Sequence, residues 1–424
     1  MNYRPSWRWA GLLLPLALHA QPSSPPLQPL SLQQTLQAAQ DNLEVALSRR
    51  NLAGAQADIT SADRAPLPVL SASVSQIDLK NGNGSGRVLQ DRTYDKSLGL
   101  DWTWERGNKR ELRTLTAQRT ADAARAELQE TVLQQRVAAL AAFYELLAAQ
   151  ERLDTNTELD GNATELARIA ARRLQAGDLS AQETARTEIE AQRARAERRQ
   201  AELERQRSAL ALWQLTALAT PQQLQARADW PAPVPGIASV DLEALVEERA
   251  DVQAARARVE AAQAALDAST ALKKSDITWG VSYNHYPGTS TALMELRMQM
   301  PLQWGYAYQG EIGRASAQFG LAQDALERTR RLARQELERL QHEVLSTAER
   351  AAVFDAEILP RARRVAEGAE LAYRKGALSL TDLLDARRTL RVTALDAVAA
   401  RKEHAQALGA WQLRTGQTVT AATP

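Results

Sequence analysis

The stretch Ser97-Leu98-Gly99-Leu100-Asp101-Trp102-Thr103-Trp104 places an apolar residue at every second position, and Ile277-Thr278-Trp279-Gly280-Val281-Ser282-Tyr283-Asn284 does the same later in the chain. Successive side chains of a strand point to opposite faces, so both stretches are predicted to be strands with one apolar and one polar face. Each has a companion. Leu70, Ala72 and Val74 alternate with serines ahead of the first; Met294, Leu296, Met298, Met300 and Leu302 alternate with Glu295, Arg297, Gln299 and Pro301 after the second. Asn81-Gly82-Asn83-Gly84-Ser85-Gly86 and Pro287-Gly288 supply the turns, so two hairpins are expected, with strands over about 70–80, 94–104, 276–286 and 292–303. The glycine run does not open a helix and carries no nucleotide-binding reading.

Working outward, each hairpin sits inside the same order of parts. Trp104 and Trp304 each end an alternating segment. Ala117-Gln118 matches Ala317-Gln318, Gly177-Asp178-Leu179-Ser180 matches Gly376-Ala377-Leu378-Ser379, and Trp213 and Trp411 fall near the ends of the two halves. A helix precedes each hairpin, near 31–64 and 241–274. A helical pattern of about 70 residues follows, 106–176 and 306–375, long enough to reach ~100 Å. Pro360 is expected to bend the second of these, and Asp160-Gly161-Asn162 to weaken the first. A helix near 180–218 and another near 379–413 close the halves. Between them Trp230-Pro231-Ala232-Pro233-Val234-Pro235-Gly236 excludes a continuous helix. The chain therefore divides into 21–230, a linker at 231–236, a second repeat at 237–413 and a tail at 414–424.

Composition narrows the function classes. The 424 residues carry 52 Lys+Arg against 51 Asp+Glu, a net charge of +1. This balance gives no reason to expect nucleic acid as a partner. There are no cysteines, so disulfides, thiolate chemistry and a lipid-modified N-terminal cysteine are excluded. Arg4 and Arg8 followed by the apolar Ala10–Ala20 resemble a cleaved export signal over 1–20, too short to span a bilayer as a helix. The four histidines, His19, His285, His342 and His404, are scattered, so no metal site is expected from them. With no phosphate loop or nucleophile elbow, an enzyme is not expected, and no cofactor is implied.

Four strands cannot close a barrel, and an open sheet edge cannot face lipid. Strands of about ten residues suit a tilted crossing of a bilayer. Two copies would give eight strands and a filled lumen; three would give twelve, with room for solvent. The competing reading is an elongated periplasmic coiled-coil structural protein with two surface hairpins.

The twice-repeated order of helix, hairpin, long helix, glycine turn and helix resembles the TolC family of outer-membrane efflux proteins. So do Pro68-Val69-Leu70, Ile358-Leu359-Pro360 and, most specifically, the string Tyr373-Arg374-Lys375-Gly376-Ala377-Leu378-Ser379-Leu380-Thr381-Asp382-Leu383-Leu384-Asp385-Ala386. The resemblance implies a mainly α fold with a membrane β-barrel. It implies a homotrimer whose twelve-stranded barrel sits in outer-membrane lipid and continues into an α-helical periplasmic tunnel. It also implies a periplasmic adaptor (membrane fusion protein) and an inner-membrane pump as partners. The adaptor would dock at the turns, at Gly177, Leu179, Ser180, Gly376, Leu378 and Ser379. Asp382, Asp385 and Tyr373 would form the periplasmic gate, where a ring of carboxylates attracts cations. Ser379 with Asp382, like Ser180 with Glu183, also reads as a helix-capping pair. Leu378 stands where TolC itself has an arginine, so the polar links that close the gate are expected to differ. The function implied is a passive exit duct for small molecules or metal ions, with a type I protein secretion duct as the alternative.

Overall fold

The computed structural model describes residues 28–87, 93–218, 220–233 and 240–419. The expected export signal, 1–20, lies outside them, as do 234–236 of the Pro-rich break and the tail from 420.

The first repeat opens with β1 (Gln28–Leu30), α1 (Leu32–Ala38) and α2 (Leu43–Ala62), then β2 (Val69–Ser75), β3 (Asp95–Trp104), α3 (Lys109–Gln175) and α4 (Ala181–Thr216). After the short β4 (Leu224–Ala226) the second repeat runs α5 (Leu242–Glu248), α6 (Ala250–Ala271), β5 (Ile277–Tyr286), β6 (Ser290–Gln299), α7 (Gln309–Val353), α8 (Leu359–Arg374) and α9 (Leu380–Arg414).

The helix expected at each opening is broken in two. Asn42 is extended and caps α2, its Oδ1 accepting from the Val45 amide at 3.0 Å. Arg249 is extended between α5 and α6, its guanidinium held by Asp251 at 2.8 Å and Glu336 at 2.7 Å. The first strand stops at Ser75, short of the expected 80. There Gln76 turns left-handed at φ 60°, and Asp78 gathers the amides of Lys80 and Asn81 at 2.8 and 2.9 Å. The last strand ends at Gln299, short of the expected 303, because Pro301 has no amide hydrogen for the ladder. Trp304 therefore lies beyond the strand it was expected to end.

α3 is 67 residues long, about 100 Å at 1.5 Å per residue. Asp160-Gly161-Asn162 does not interrupt it, and Asp160 takes the Arg198 guanidinium of α4 at 2.9 Å. The expected break at Pro360 takes a specific form. One π-helical turn, Phe354–Ile358, separates α7 from α8, and the Leu359 amide reaches back five residues to the Phe354 carbonyl. The wide turn absorbs the donor that Pro360 lacks, so the helical path continues. Arg401 of α9 clamps this turn, binding Asp355 at 2.8 Å and Glu151 of α3 at 2.7 Å.

Two apolar cores lie at mid-helix. One gathers Leu140, Phe143 and Leu146 of α3 with Leu32, Leu36, Leu212 and Leu224. β4 pairs with β1 in parallel, and Gln150 of α3 completes its other edge. The Gln150 amide donates to the Ala226 carbonyl at 2.9 Å and accepts from its N–H at 2.8 Å. The second core joins Leu337, Leu340 and Val344 of α7 to Leu408 and Trp411 of α9. A small third cluster, Leu166, Leu380 and Leu383, sits near the glycine turns.

The hairpins merge into one antiparallel sheet of order β2-β3-β5-β6. The central pairing joins the repeats, with Leu98 opposite Tyr283, Leu100 opposite Val281 and Trp102 opposite Trp279. The apolar face lies bare: Met294 and Leu296 are 77% and 78% exposed.

Two outcomes are expected for stability. Phe143→Ala removes a fully buried ring and should cost about 3–5 kcal/mol, read as a lower thermal midpoint of the helical signal. His404 is buried between α7 and α9, and burial holds its pKa below the ordinary value, against a weaker opposing hydrogen bond to the Ala232 backbone. The unfolded chain therefore binds a proton that the native state refuses, so stability falls as pH drops below about 6.5. His404→Gln should reduce that slope in midpoints measured between neutral and mildly acid buffer.

Candidate functional site

Two surfaces concentrate the unusual chemistry: the tip, where the long helices turn back, and the polar face of the sheet. At the tip, α3 and α8 each end in a glycine with left-handed backbone, φ +79° at Gly177 and +75° at Gly376. The amide one residue further closes each helix, Asp178 to the Arg173 carbonyl and Ala377 to the Ala372 carbonyl, both at 2.9 Å. The next helices start on Ser180 and Ser379. The Ser180 Oγ accepts from the Glu183 amide at 3.2 Å, and the Glu183 carboxylate accepts from the Ser180 amide at 3.2 Å. The Ser180 hydroxyl holds the Glu183 carboxyl below its ordinary pKa, with the Ser180 backbone amide second.

Asp382 occupies the equivalent place after Ser379. Its amide donates to the Ser379 Oγ at 3.2 Å, and its carboxylate accepts from the same hydroxyl at 2.6 Å. Asp385 is exposed and has no hydrogen bond or ion pair with another described residue. Both lie on the α9 face opposite the buried Leu380 and Leu383. Tyr373 is half-buried, packed on the Leu166, Leu380 and Leu383 cluster, with the Arg173 guanidinium 5.8 Å from its ring centre. Leu179 and Leu378 are half-buried, whereas Gly177, Ser180, Gly376 and Ser379 are exposed. The Arg173–Tyr373 contact brings both glycine turns to one end of the molecule.

On the sheet, the polar face carries an ion pair between Asp101 of β3 and Arg297 of β6, reaching across β5. Gly280 lies between them, and a Cβ there would sit 2.5 Å from the Asp101 carboxylate. Glycine is thus what lets this pair close over the middle strand. Asn284, buried, links Ser282 and Glu295, each at 3.2 Å.

The chain is similar to the cobalt-zinc-cadmium resistance protein CzcC of Cupriavidus metallidurans, with 25% identity over 363 residues, 85% of this chain and 84% of that one. Its fold is similar to a solved membrane protein from Pseudomonas aeruginosa, with TM-score 0.78 and 18% identity, covering 91% of this chain and 93% of that one. It is also similar to the CmeC outer membrane channel of Campylobacter jejuni, with TM-score 0.77 and 15% identity, covering 91% and 85%. No family model matches the chain.

The chain has the fold of these solved membrane proteins, the CmeC outer membrane channel among them.

Sequence reasoning missed the arginines that join the two repeats near the tip. Arg186 of α4 donates to the Thr381 hydroxyl of α9 at 3.0 Å, and Arg391 of α9 pairs with Glu197 of α4. Arg387 of α9 donates to the Asn162 carbonyl of α3 at 3.5 Å, and within its own repeat binds Glu370 of α8 at 3.2 Å. In the sequence these are a few among many helix arginines, and nothing local sets them apart. Among the described residues, no group of three or more His, Cys, Asp or Glu side chains could hold a metal ion, and no helix is long and apolar enough to cross a membrane.

The two kinds of tip residue should respond differently. Gly376→Ala meets open space, so its cost is left-handed strain alone, about 1–2 kcal/mol. Ser379→Ala removes a cap, about 1 kcal/mol. Both should speed limited proteolysis at 374–380 while leaving global unfolding nearly unchanged.

Proposed function

We propose that this protein is the outer-membrane exit duct of a tripartite efflux system, a passive homotrimeric channel that takes divalent metal cations from a periplasmic adaptor and inner-membrane pump to the exterior. The observation that carries the reading is the four-stranded sheet, bare and apolar on one face, polar and ion-paired on the other, with no strand among the described residues paired to the outer edges of β2 and β6. An apolar face of that extent suits lipid, and the polar face suits a water-filled lumen. Three copies, edge to edge, would satisfy the backbone groups that neither lipid nor a single chain can satisfy. The helices attached to the sheet would then continue as a periplasmic tunnel about 100 Å long.

Metal ions are favoured as cargo by the likeness to CzcC, whose name records resistance to cobalt, zinc and cadmium. Adaptor docking is assigned to the exposed glycine turns around Gly177 and Gly376. Having no Cβ, these glycines leave backbone open to a partner.

Asp382 and Asp385 have different parts in the gate. Asp382 is engaged by Ser379 at the helix start, so its principal work is capping. Asp385 is free of such a contact and is the carboxylate that would meet a passing cation.

Heat-modifiable trimers in the outer-membrane fraction and single-channel currents in planar bilayers test the duct; a detergent-free monomer without channel activity would sink it. In the same recordings, Asp385→Ala should weaken block by divalent cations about threefold to tenfold, equivalent to ~0.7–1.4 kcal/mol of lost attraction. Asp382→Ala should change block less than Asp385→Ala. Equal block in wild type and Asp385→Ala would remove Asp385 from the gate. Deleting the gene should raise cellular sensitivity to cobalt, zinc or cadmium salts if the cargo assignment holds.

A further inference from the structure

The helix-side end of the sheet has a charge pattern that the duct reading leaves unused. Where β3 passes into α3 and α6 into β5, four acids are taken by partners in the same chain. Asp276 holds Lys109 at 2.7 Å, Glu105 holds Arg113 at 2.9 Å, and Asp63 holds Arg110 at 3.0 Å. Glu311 accepts from the Tyr306 hydroxyl. Two acids have no such partner among the described residues: Asp58 of α2, and Glu111 in the first turn of α3, where its charge faces the positive helix end.

Four further cations are in the opposite condition. Arg64, Arg106, Lys273 and Lys274 are exposed, and their side chains make no hydrogen bond or ion pair with another described residue. They are held in place by their backbones. The Arg106 amide donates to Asp276 at 2.9 Å. The stem of Lys274 lies against Gly107, whose φ is +81° and where a Cβ would come within 2.9 Å of the Lys274 Cδ. Directly above this collar the apolar face ends in Trp104, 56% exposed, and Trp304, past the end of β6, is 87% exposed.

We propose that this collar binds the headgroups of anionic phospholipids in the leaflet that faces the tunnel. Exposed indoles prefer the boundary between hydrocarbon and headgroup. Unpaired Lys and Arg one step beyond that boundary meet phosphate, and clusters of such cations select anionic over zwitterionic lipid. Lipopolysaccharide, a second source of phosphate, is not the occupant, because the collar is at the helix end of the sheet and the hairpin loops are at the other. The inference rests on the proposed membrane placement of the sheet.

The test uses the full-length trimer in phosphatidylcholine vesicles doped with brominated phosphatidylglycerol or brominated phosphatidylcholine, read by quenching of tryptophan fluorescence. At low salt, brominated phosphatidylglycerol should compete for the protein about fivefold better than brominated phosphatidylcholine. The preference should disappear in about 0.5 M salt and in the combined variant Arg64→Ser, Arg106→Ser, Lys273→Ser, Lys274→Ser. Equal quenching by the two lipids in the unmodified protein, or an undiminished preference in the variant, overturns the inference and leaves the membrane placement standing. No quenching by either lipid overturns the placement itself. The salt series on unmodified protein decides the matter even if the variant fails to assemble.

Discussion

The rest of the structure depends on unpaired backbone groups along β2 and β6. A strand inside a sheet spends its amides and carbonyls on two neighbours; among the described residues these two strands have one each. In water the edges could be hydrated, but the apolar face beside them could not be left bare. In hydrocarbon the face is satisfied and the edges are not, at several kcal/mol for each lost hydrogen bond. No environment suits both unless other strands take the edges. The pairing of β3 with β5 has already spent the two inner edges on joining the repeats, so what remains must come from outside the chain. That is why the proposed function is a statement about several copies of the chain and not about one.

The helices bear the same logic in a weaker form. Their buried residues are mainly alanines and leucines spread thinly along great length, concentrated in two mid-helix cores. Between those cores and the tip, contacts across the repeats are mostly arginine to carboxylate or hydroxyl. Exposed ion pairs contribute about 0–1 kcal/mol each. Separating the two helical coils below mid-length therefore uncovers little apolar surface until the cluster of Leu166, Leu380 and Leu383 is reached.

Much of this was legible in the sequence, and the limits have physical causes. Alternation in Ser97–Trp104 and Ile277–Asn284 gave the strands because one face is apolar throughout, and Gly177 and Gly376 gave the turns because few other residues adopt their backbone. The duplication carried the order of parts from one half to the other. What failed was local. Ser75 and Gln299 end their strands through a left-handed Gln76 and a proline, neither of which disturbs the alternating pattern. Asn42 and Arg249 split helices whose composition is helical across the break, because a capping side chain and a tertiary ion pair decide there. Asp160-Gly161-Asn162 failed the other way: Arg198 of a different helix holds it helical. Arg186 and Arg391 were invisible because their meaning depends on which helix stands opposite.

The two aspartates of α9 illustrate why a motif and a geometry have to be read together. The family string holds both Asp382 and Asp385, but their spacing from Ser379 already sets Asp382 in a capping position and Asp385 beyond it. The geometry shows the cap. Asp382 stands three residues after Ser379, where a carboxylate both accepts the hydroxyl and meets the positive helix end. Asp385, one turn on, has left the reach of the cap and finds no partner. A charge already engaged at a helix start gains little from a cation in passing, whereas an exposed, unengaged one has its full field available. Near Leu378, a polar link across the repeats is made by Arg186 of α4, which donates to the Thr381 hydroxyl of α9. What matters is that the link is polar, because a polar link can be exchanged for water at small cost while an apolar one cannot.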